Sequence, residues 1–403
     1  MAKTSGALEG IRVIELGSLI AGPFAGRILA DHGAEVIKVE PVTGDPLRKY
    51  GALIPQTETS YWFTVQARNK KLVAIDLKRP EGQDIARRLI ATADVVVENF
   101  RPGRLEGWNL APDDLRRMKP ELIIARISGF GQTGPYKSLP GFGNIAEAMG
   151  GIRDLTGYPD QPPARTAVSL GDAVAGLFTS FAVLAALNAR RQTGVGNVID
   201  VSLLEAVFSL LEGAVPEYVH AGVVRRRVGT KLPTAAPSGV YPTQDGKWIS
   251  IGANGDGLFV HLAEVVGRRD WANDPRLKDN VGRVAHSDEL DRVIADWTAS
   301  HGLEDIRQQL WDAGVPAGPV YDIRDIMADP HYQARNAFIE VASSAAAHAI
   351  TMPSVVPLFS DTPGQVHWGG GRLGEHTAMV LRELVGLTVH EVAHLSDRGV
   401  VVL

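Results

Sequence analysis

The chain of 403 residues contains no cysteine. That rules out disulfides, thiolate metal ligands and a cysteine nucleophile, and it fits a reducing compartment. Positive charge is not in excess: the formal net charge is −5, whereas nucleic-acid-binding domains are usually basic. No stretch reads as the uninterrupted apolar run needed to span a bilayer. The opening Met-Ala-Lys-Thr-Ser-Gly has no apolar segment of the signal-peptide kind. A cytoplasmic protein with no nucleic-acid or membrane partner is expected. Chemical signatures are sparse as well. The histidines His286, His301, His331 and His376 lack partners at metal-ligand spacing, and neither a phosphate-binding P-loop nor a Gly-x-Ser-x-Gly elbow occurs. No metal site is expected, and the chemistry falls to a carboxylate.

What is present is a globular composition, 45% hydrophobic and 22% charged, on a chain long enough for two domains. Ile11-Arg-Val-Ile-Glu-Leu16 reads as a buried strand, residues 18–32 as a helix, and Gly33-Ala-Glu-Val-Ile-Lys-Val-Glu40 as a second strand. Strand, helix and strand at this spacing form a βαβ unit and imply a parallel sheet. Further strands are expected at 69–78, 94–100, 122–127 and 197–202, with helices at 80–91 and 203–211. The pattern predicts a doubly wound α/β domain. Glu40 stands where a dinucleotide fold keeps its ribose-binding acid. The glycine fingerprint fails, however: Gly17-Ser-Leu-Ile-Ala-Gly22 lacks the second glycine two positions after the first, so NAD is not expected.

The basic, proline-punctuated stretch from Arg225 reads as a linker. Beyond it a hairpin about Asp245-Gly246 and helices at 257–266, 287–299, 303–313 and 322–328 predict a smaller α+β domain. The expected division is 1–224 for the large domain, 225–325 for the small one, and 326–403 for a segment returning to the first. Gly255-Asp256-Gly257 reads equally as a covering loop or as a turn into a helix.

In parallel sheets ligands bind beyond the carboxyl ends of the strands. Lys70, Lys71, Lys78, Arg101 and Arg104 recur near that rim with Phe100 beside them, suiting a polyanion that bears an adenine; singly, each is a solvated charge. Leu170-Gly171-Asp172 runs into a helical pattern through Ala186. There a carboxylate meets the positive end of a helix dipole and stays ionised. Asp172 is thus either a helix cap or a glycine-flanked nucleophile.

Ordered motifs decide between these. Leu8-Glu-Gly-Ile-Arg-Val-Ile-Glu-Leu16, Ala21-Gly-Pro-Phe-Ala, Gly44-Asp45-Pro, Asn69-Lys-Lys, Ile75-Asp-Leu-Lys78, Glu98-Asn-Phe-Arg-Pro-Gly103, Gly129-Phe-Gly-Gln-Thr-Gly-Pro-Tyr136, Leu170-Gly-Asp172 and Gly374-Glu-His-Thr377 follow one another along the chain. In these the sequence resembles the class III CoA-transferases, which include formyl-CoA and carnitine CoA-transferases and the α-methylacyl-CoA racemases. The resemblance implies a large Rossmann-like domain built from both ends of the chain, a small domain, and an interlocked homodimer. It implies Asp172 as nucleophile, acting through aspartyl anhydride and aspartyl–CoA thioester intermediates. CoA or acyl-CoA would be a substrate, with no tightly bound cofactor, lying along Ile20 and Ala21, Ile75, Asp76 and Lys78, and Asn99, Phe100, Arg101 and Arg104.

The racemase branch pairs its aspartate with a histidine, but Pro140-Gly-Phe-Gly-Asn144 has Phe142 and Gly143 where racemases carry His-Asp. Moving a proton between two faces needs two titratable groups, which favours transfer over racemisation. Ile20 replaces the glutamine of formyl-CoA transferases, and their glycine-run lid is absent. Tyr241-Pro-Thr-Gln-Asp-Gly and Gly252-Ala-Asn-Gly-Asp are more similar to members acting on succinyl-CoA and dicarboxylates. Arg48 or Arg225–Arg227 would then hold the distal carboxylate, beside Phe142 in the substrate pocket. A non-catalytic acyl-CoA-binding protein is the alternative of another class.

Overall fold

The computed structural model describes residues 6–403, so the expectation about the first residues lies largely outside it. The apolar runs become strands β1 (Arg12–Glu15), β2 (Glu35–Glu40), β3 (Lys70–Ile75), β4 (Val95–Glu98), β5 (Ile123–Ser128) and β6 (Val198–Ser202). These lie parallel in the order β3-β2-β1-β4-β5-β6, the order of doubly wound dinucleotide folds. Strands buried on both faces need no alternation, and Val95, Val96 and Val97 are all inaccessible. Successive residues still point to opposite layers. Ile14 and Val96 join a core with the Pro80–Ala91 and Thr377–Glu383 helices. Val13 and Val95 join another with the Ala21–Asp31 and Leu170–Thr193 helices.

By contacts the chain divides into a unit of residues 1–152, 166–211 and 332–403 and a unit of 153–165 and 212–331. The boundaries therefore fall near 211 and 331 rather than at 224 and 325, and residues 153–165 leave the first unit. The second unit holds an antiparallel sheet, β7 (Ser238–Pro242), β8 (Trp248–Gly252) and β9 (Ala317–Pro319), over a core where Phe259 stacks on Trp271 at 5.7 Å. Its stretch from Arg225 is not a loose linker. Arg225 is paired with Glu217 at 2.7 Å and Glu212 at 2.8 Å, and Arg227 with Asp154 at 2.9 Å.

The C-terminal segment adds a hairpin, β10 (Phe338–Val341) with β11 (Ile350–Pro353), and closes on β12 (Val401–Val402), antiparallel to β3 at the sheet edge. This two-residue strand leaves part of β3 uncovered, and side chains complete it. His376 Nδ1 accepts from the Leu72 N–H at 3.1 Å, and Thr377 Oγ1 accepts from the Ala74 N–H at 3.1 Å.

Two further expectations fail. Lys70 starts β3 and is fully buried against Glu15 at 2.7 Å, while Lys71 pairs with Glu35; both lie at the end of the strand opposite the rim. And the Leu170–Thr193 helix is long and apolar enough, by length and composition, to cross a membrane. It packs instead on the Ala21–Asp31 helix and on β5 and β6.

The His376 contact has a pH consequence. An imidazole that accepts through Nδ1 cannot be protonated there. Burial, with Lys71 nearby, pulls its pKa below the ordinary value near 6.5, and Glu375 only partly offsets this. Below about pH 6.5 the unfolded chain takes up this proton before the folded one, so its contribution, present above that pH, is lost on acidification. We expect the melting temperature to fall between pH 7 and 5, and His376→Gln to flatten part of that slope. An unchanged slope in the variant contradicts the assignment.

Candidate functional site

In this strand order the direction of winding reverses between β1 and β4, which opens a crevice at their carboxyl ends. Two loops meet there. After β1, Gly17 and Gly22 press against Asn99: a Cβ on Gly17 would lie 2.7 Å from Asn99 Oδ1. After β4, the Asn99 amide brackets one peptide of the first loop. Its Oδ1 accepts from Ser18 N–H and its Nδ2 donates to Ser18 O, both at 2.8 Å. Leu19 is held at φ +64°, a left-handed conformation that L side chains resist. Its N–H donates to Asp45 Oδ1 at 3.1 Å, which helps hold that backbone in place.

Asp45 is fixed in turn by buried charge. Lys38, inside β2, donates to Gly17 O at 2.9 Å and pairs with Asp45 at 2.8 Å and Glu15 at 3.1 Å. Burial opposes charge on Lys38, but Asp45, Glu15 and Glu40 outweigh it and hold the ammonium above its usual range. Burial likewise opposes charge on Asp45, and Lys38 with the Leu47 and Leu19 N–H groups pulls that carboxyl below the usual range. A charged pair this deep is retained only when both members are satisfied.

The opposite wall comes from the segments after β5. Gly129 and Gly141 bring two backbones together, since a Cβ on Gly129 would lie 2.9 Å from Gly141 Cα. Gly143 opens the Gly143–Met149 helix directly under Asp172, and a Cβ there would lie 2.2 Å from Asp172 Oδ2. Asp172 is in the first turn of the Leu170–Thr193 helix, but Ser169, not Asp172, occupies the cap position. The buried Glu147 accepts from Gly171 N–H at 3.1 Å and fixes that first turn. This N–H and that of Ala173, which donates to Ser169 O at 3.0 Å, are engaged and are not oxyanion donors as they stand.

A cavity of about 150 Å³ gathers Asp172 with Ser18, Leu19, Ala21, Asn99, Phe100, Arg101, Lys137 and Phe142. Of the sequence candidates, Ala21, Asn99, Phe100, Arg101, Phe142 and Asp172 thus come together. Arg104 lines the adjoining hollow that also contains Arg101, with its guanidinium 5.4 Å from the centre of the Trp108 ring. Phe100 meets Trp108 edge-on at 5.0 Å. Ile75 ends β3, two strands away from β1, and Asp76 and Lys78 follow it. Ile75 is in the core, and Asp76 accepts from Lys78 N–H at 3.0 Å in a tight turn. Ile20 packs beside the cavity on the cluster around Leu47 and Phe63.

Arg48 does not face the cavity. It is buried in a two-point bond to Glu40, 2.7 Å at each contact, with its guanidinium 3.8 Å from the centre of the Phe63 ring. Its other terminal nitrogen donates to Thr59 Oγ1 at 3.2 Å and to Gly371 O at 3.0 Å, so the guanidinium is committed within the protein, and the pair with Glu40 explains that carboxylate without a ribose. Arg225 is similarly saturated. The sequence reading missed Lys38, Asp45 and Lys137. A lysine among Val36, Ile37 and Val39 in the Glu35–Glu40 strand was the available signal for the first, whereas Lys137 follows the Gly129–Tyr136 motif without belonging to it.

The model of CoA-transferase family III matches residues 8–377. A succinyl-CoA–D-citramalate CoA-transferase of Chloroflexus aurantiacus is 46% identical over 98% of both chains. The β subunit of the same organism's succinyl-CoA–L-malate CoA-transferase is 39% identical, again over 98% of each. Among solved structures, a CaiB/BaiF family protein from Brucella suis superposes with a TM-score of 0.83 at 34% identity, covering 94% of this chain and 100% of its own. The chain belongs to CoA-transferase family III, the family its ordered motifs resemble.

Proposed function

We propose that this CoA-transferase moves CoA from a succinyl-CoA-like donor to a dicarboxylic acid, with Asp172 as the nucleophile. The observation that carries the reading is one cavity in which an aspartate on the first turn of a helix faces the two loops of the sheet's crevice. The helix dipole favours the ionised carboxylate. The dicarboxylate class is supported by relatives named for citramalate, malate and glutarate. CoA would run from the Ser18–Ala21 loop past Asn99, Phe100 and Arg101 to Arg104, with Ile20 and the turn at Ile75, Asp76 and Lys78 as outlying contacts. It is a substrate, and no tightly bound cofactor is required.

The steps balance without proton transfer. Asp172 attacks the donor thioester carbonyl, the C–S bond breaks, and CoA thiolate leaves an aspartyl–acyl anhydride. The thiolate attacks the aspartyl carbonyl, which expels the donor carboxylate and leaves aspartyl–CoA thioester. The acceptor carboxylate displaces the thiolate, and the thiolate then takes the acceptor acyl group and frees Asp172. Every nucleophile and leaving group is an anion. That suits a lining whose charged side chains are Asp172, Arg101 and Lys137, with no histidine among them. A racemase requires a second acid/base where Phe142 and Gly143 stand.

The protein is further proposed to act as an interlocked homodimer in the cytoplasm. Leu177, Phe178, Phe181 and Leu184 form an exposed apolar stripe on the helix that carries Asp172, with Phe181 at 70% exposure. A stripe of this kind is usually covered by a partner.

Asp172→Ala should reduce kcat by at least about a thousandfold while acyl-CoA still binds. Hydroxylamine or borohydride trapping in the wild type should place a mass change on Asp172 during turnover. An unmodified Asp172 peptide would refute the covalent route, and full activity in the variant would favour a different site. Gly143→Ala should push the Asp172 carboxylate aside and lower kcat about a hundredfold, with melting little changed. Wild-type turnover in that variant would mean that the carboxylate reacts from another position.

A further inference from the structure

Two cations line the cavity that contains Asp172, and their surroundings differ. Arg101 also borders the adjoining hollow with Arg104, on the side of the crevice proposed for CoA. Lys137 lies on the other wall, in the segment between β5 and the Gly143–Met149 helix, with Leu139 and Phe142. Its backbone N–H donates to Gly134 O, and among the described residues no carboxylate pairs with its ammonium. An exposed lysine is ordinarily no more than a solvated charge. What distinguishes this one is that it shares a small cavity with the residue proposed to carry the acyl group.

The chemistry of that cavity calls for such a group. Beyond Asp172 and the two cations, much of its lining is apolar: Ala21, Ile127, Leu139, Phe142 and Leu203. An acyl group that ends in a second carboxylate would lose hydration there and needs a cationic partner. The arginines that the sequence offers for this task are all paired with carboxylates of the protein: Arg48 with Glu40, Arg225 with Glu212 and Glu217, and Arg226 and Arg227 with Asp154. Arg101 faces the phosphate-bearing side. Lys137 remains, as a point charge on a flexible stem, able to meet diacids of somewhat different length.

We propose that Lys137 selects dicarboxylic acids by pairing with the distal carboxylate of the acyl group carried on Asp172. This rests on the transferase reading above. The test uses the full-length enzyme with succinyl-CoA as donor and compares glutarate with pentanoate, an acceptor of equal chain length lacking the second charge. The readout is the ratio of the two kcat/KM values. Lys137→Met should lower that ratio by about ten- to a hundredfold, the scale of one charge-assisted hydrogen bond. The loss should appear as a raised KM for glutarate, and Lys137→Arg should recover most of it. Arg101→Met should raise the KM for acyl-CoA with either acceptor and leave the ratio unchanged.

A ratio in Lys137→Met equal to that of the wild type overturns the proposal and leaves the transferase reading standing. So does an equal loss with both acids, which would make Lys137 a general structural or CoA-binding residue. A wild-type ratio near one removes the dicarboxylate reading and this proposal together, while trapping at Asp172 still decides the covalent mechanism by itself.

Discussion

The site depends on a lysine buried beneath it. Lys38 is inaccessible, and its Nζ supports the Gly17 carbonyl from inside the sheet. Desolvating an ammonium costs several kcal/mol unless neighbouring charges compensate. Here Glu15, Asp45 and Glu40 face Lys38, Lys70 and Arg48, three carboxylates against three cations. The cluster ties β1, β2 and β3 to the loop that forms one wall of the crevice. Asp45 carries the constraint outward, because the carboxylate paired with Lys38 also holds the Leu19 N–H. A strained residue at a ligand-facing turn persists only where its surroundings over-determine it. Charge balance inside the sheet thus becomes backbone geometry at its edge.

The chemistry proposed for the crevice makes modest demands that this arrangement suits. An exchange among carboxylates and a thiolate needs no proton shuttle, but it does need anions held close together and an anhydride kept from water. The glycines serve the first need. Gly143 lets Asp172 lie against backbone, and Gly129 with Gly141 brings the opposite wall close. Glu147, bonded to Gly171, fixes the turn from which Asp172 projects. None of these residues needs unusual reactivity; their contribution is placement.

Much of the fold was legible because the strands of a parallel sheet read as short β-branched runs between glycines. The βαβ start and the hairpin at Asp245-Gly246 follow from local pattern alone. The family motifs made Asp172 conspicuous. What could not be read was which charges face inward. Lys70 and Lys71 look like rim residues in sequence, yet they begin β3 at the end away from the ligand, and Lys70 is spent on Glu15. Arg48 looks available in sequence, yet Glu40, eight residues earlier, accepts from two of its nitrogens, and Thr59 with the Gly371 carbonyl occupies the third. Lys137 had the opposite fault: it lies among exposed residues, just past the Gly129–Tyr136 motif, and only the fold brings it to the cavity that Asp172 lines. Charge pairing across strands is a property of register and burial, and neither is written locally.

The helix that carries Asp172 shows the same limit in another form. By composition it qualifies to span a bilayer, and periodicity alone does not separate a membrane span from a core helix or an interface. Its packing does. Gly176 meets the neighbouring Ala21–Asp31 helix so closely that a Cβ would lie 2.9 Å from Ala21 O. Thr179 and Ser180 on the buried face bond back to the carbonyls of Ala175 at 2.7 Å and Gly176 at 3.0 Å. The inner face is therefore committed to the sheet, and the apolarity left over is the Leu177–Leu184 stripe outside. If a second copy covers that stripe, as proposed, one rigid element couples the association surface to the nucleophile. Asp172 lies five residues before Leu177, so movement at the interface has little flexible chain in which to dissipate before it reaches the carboxylate.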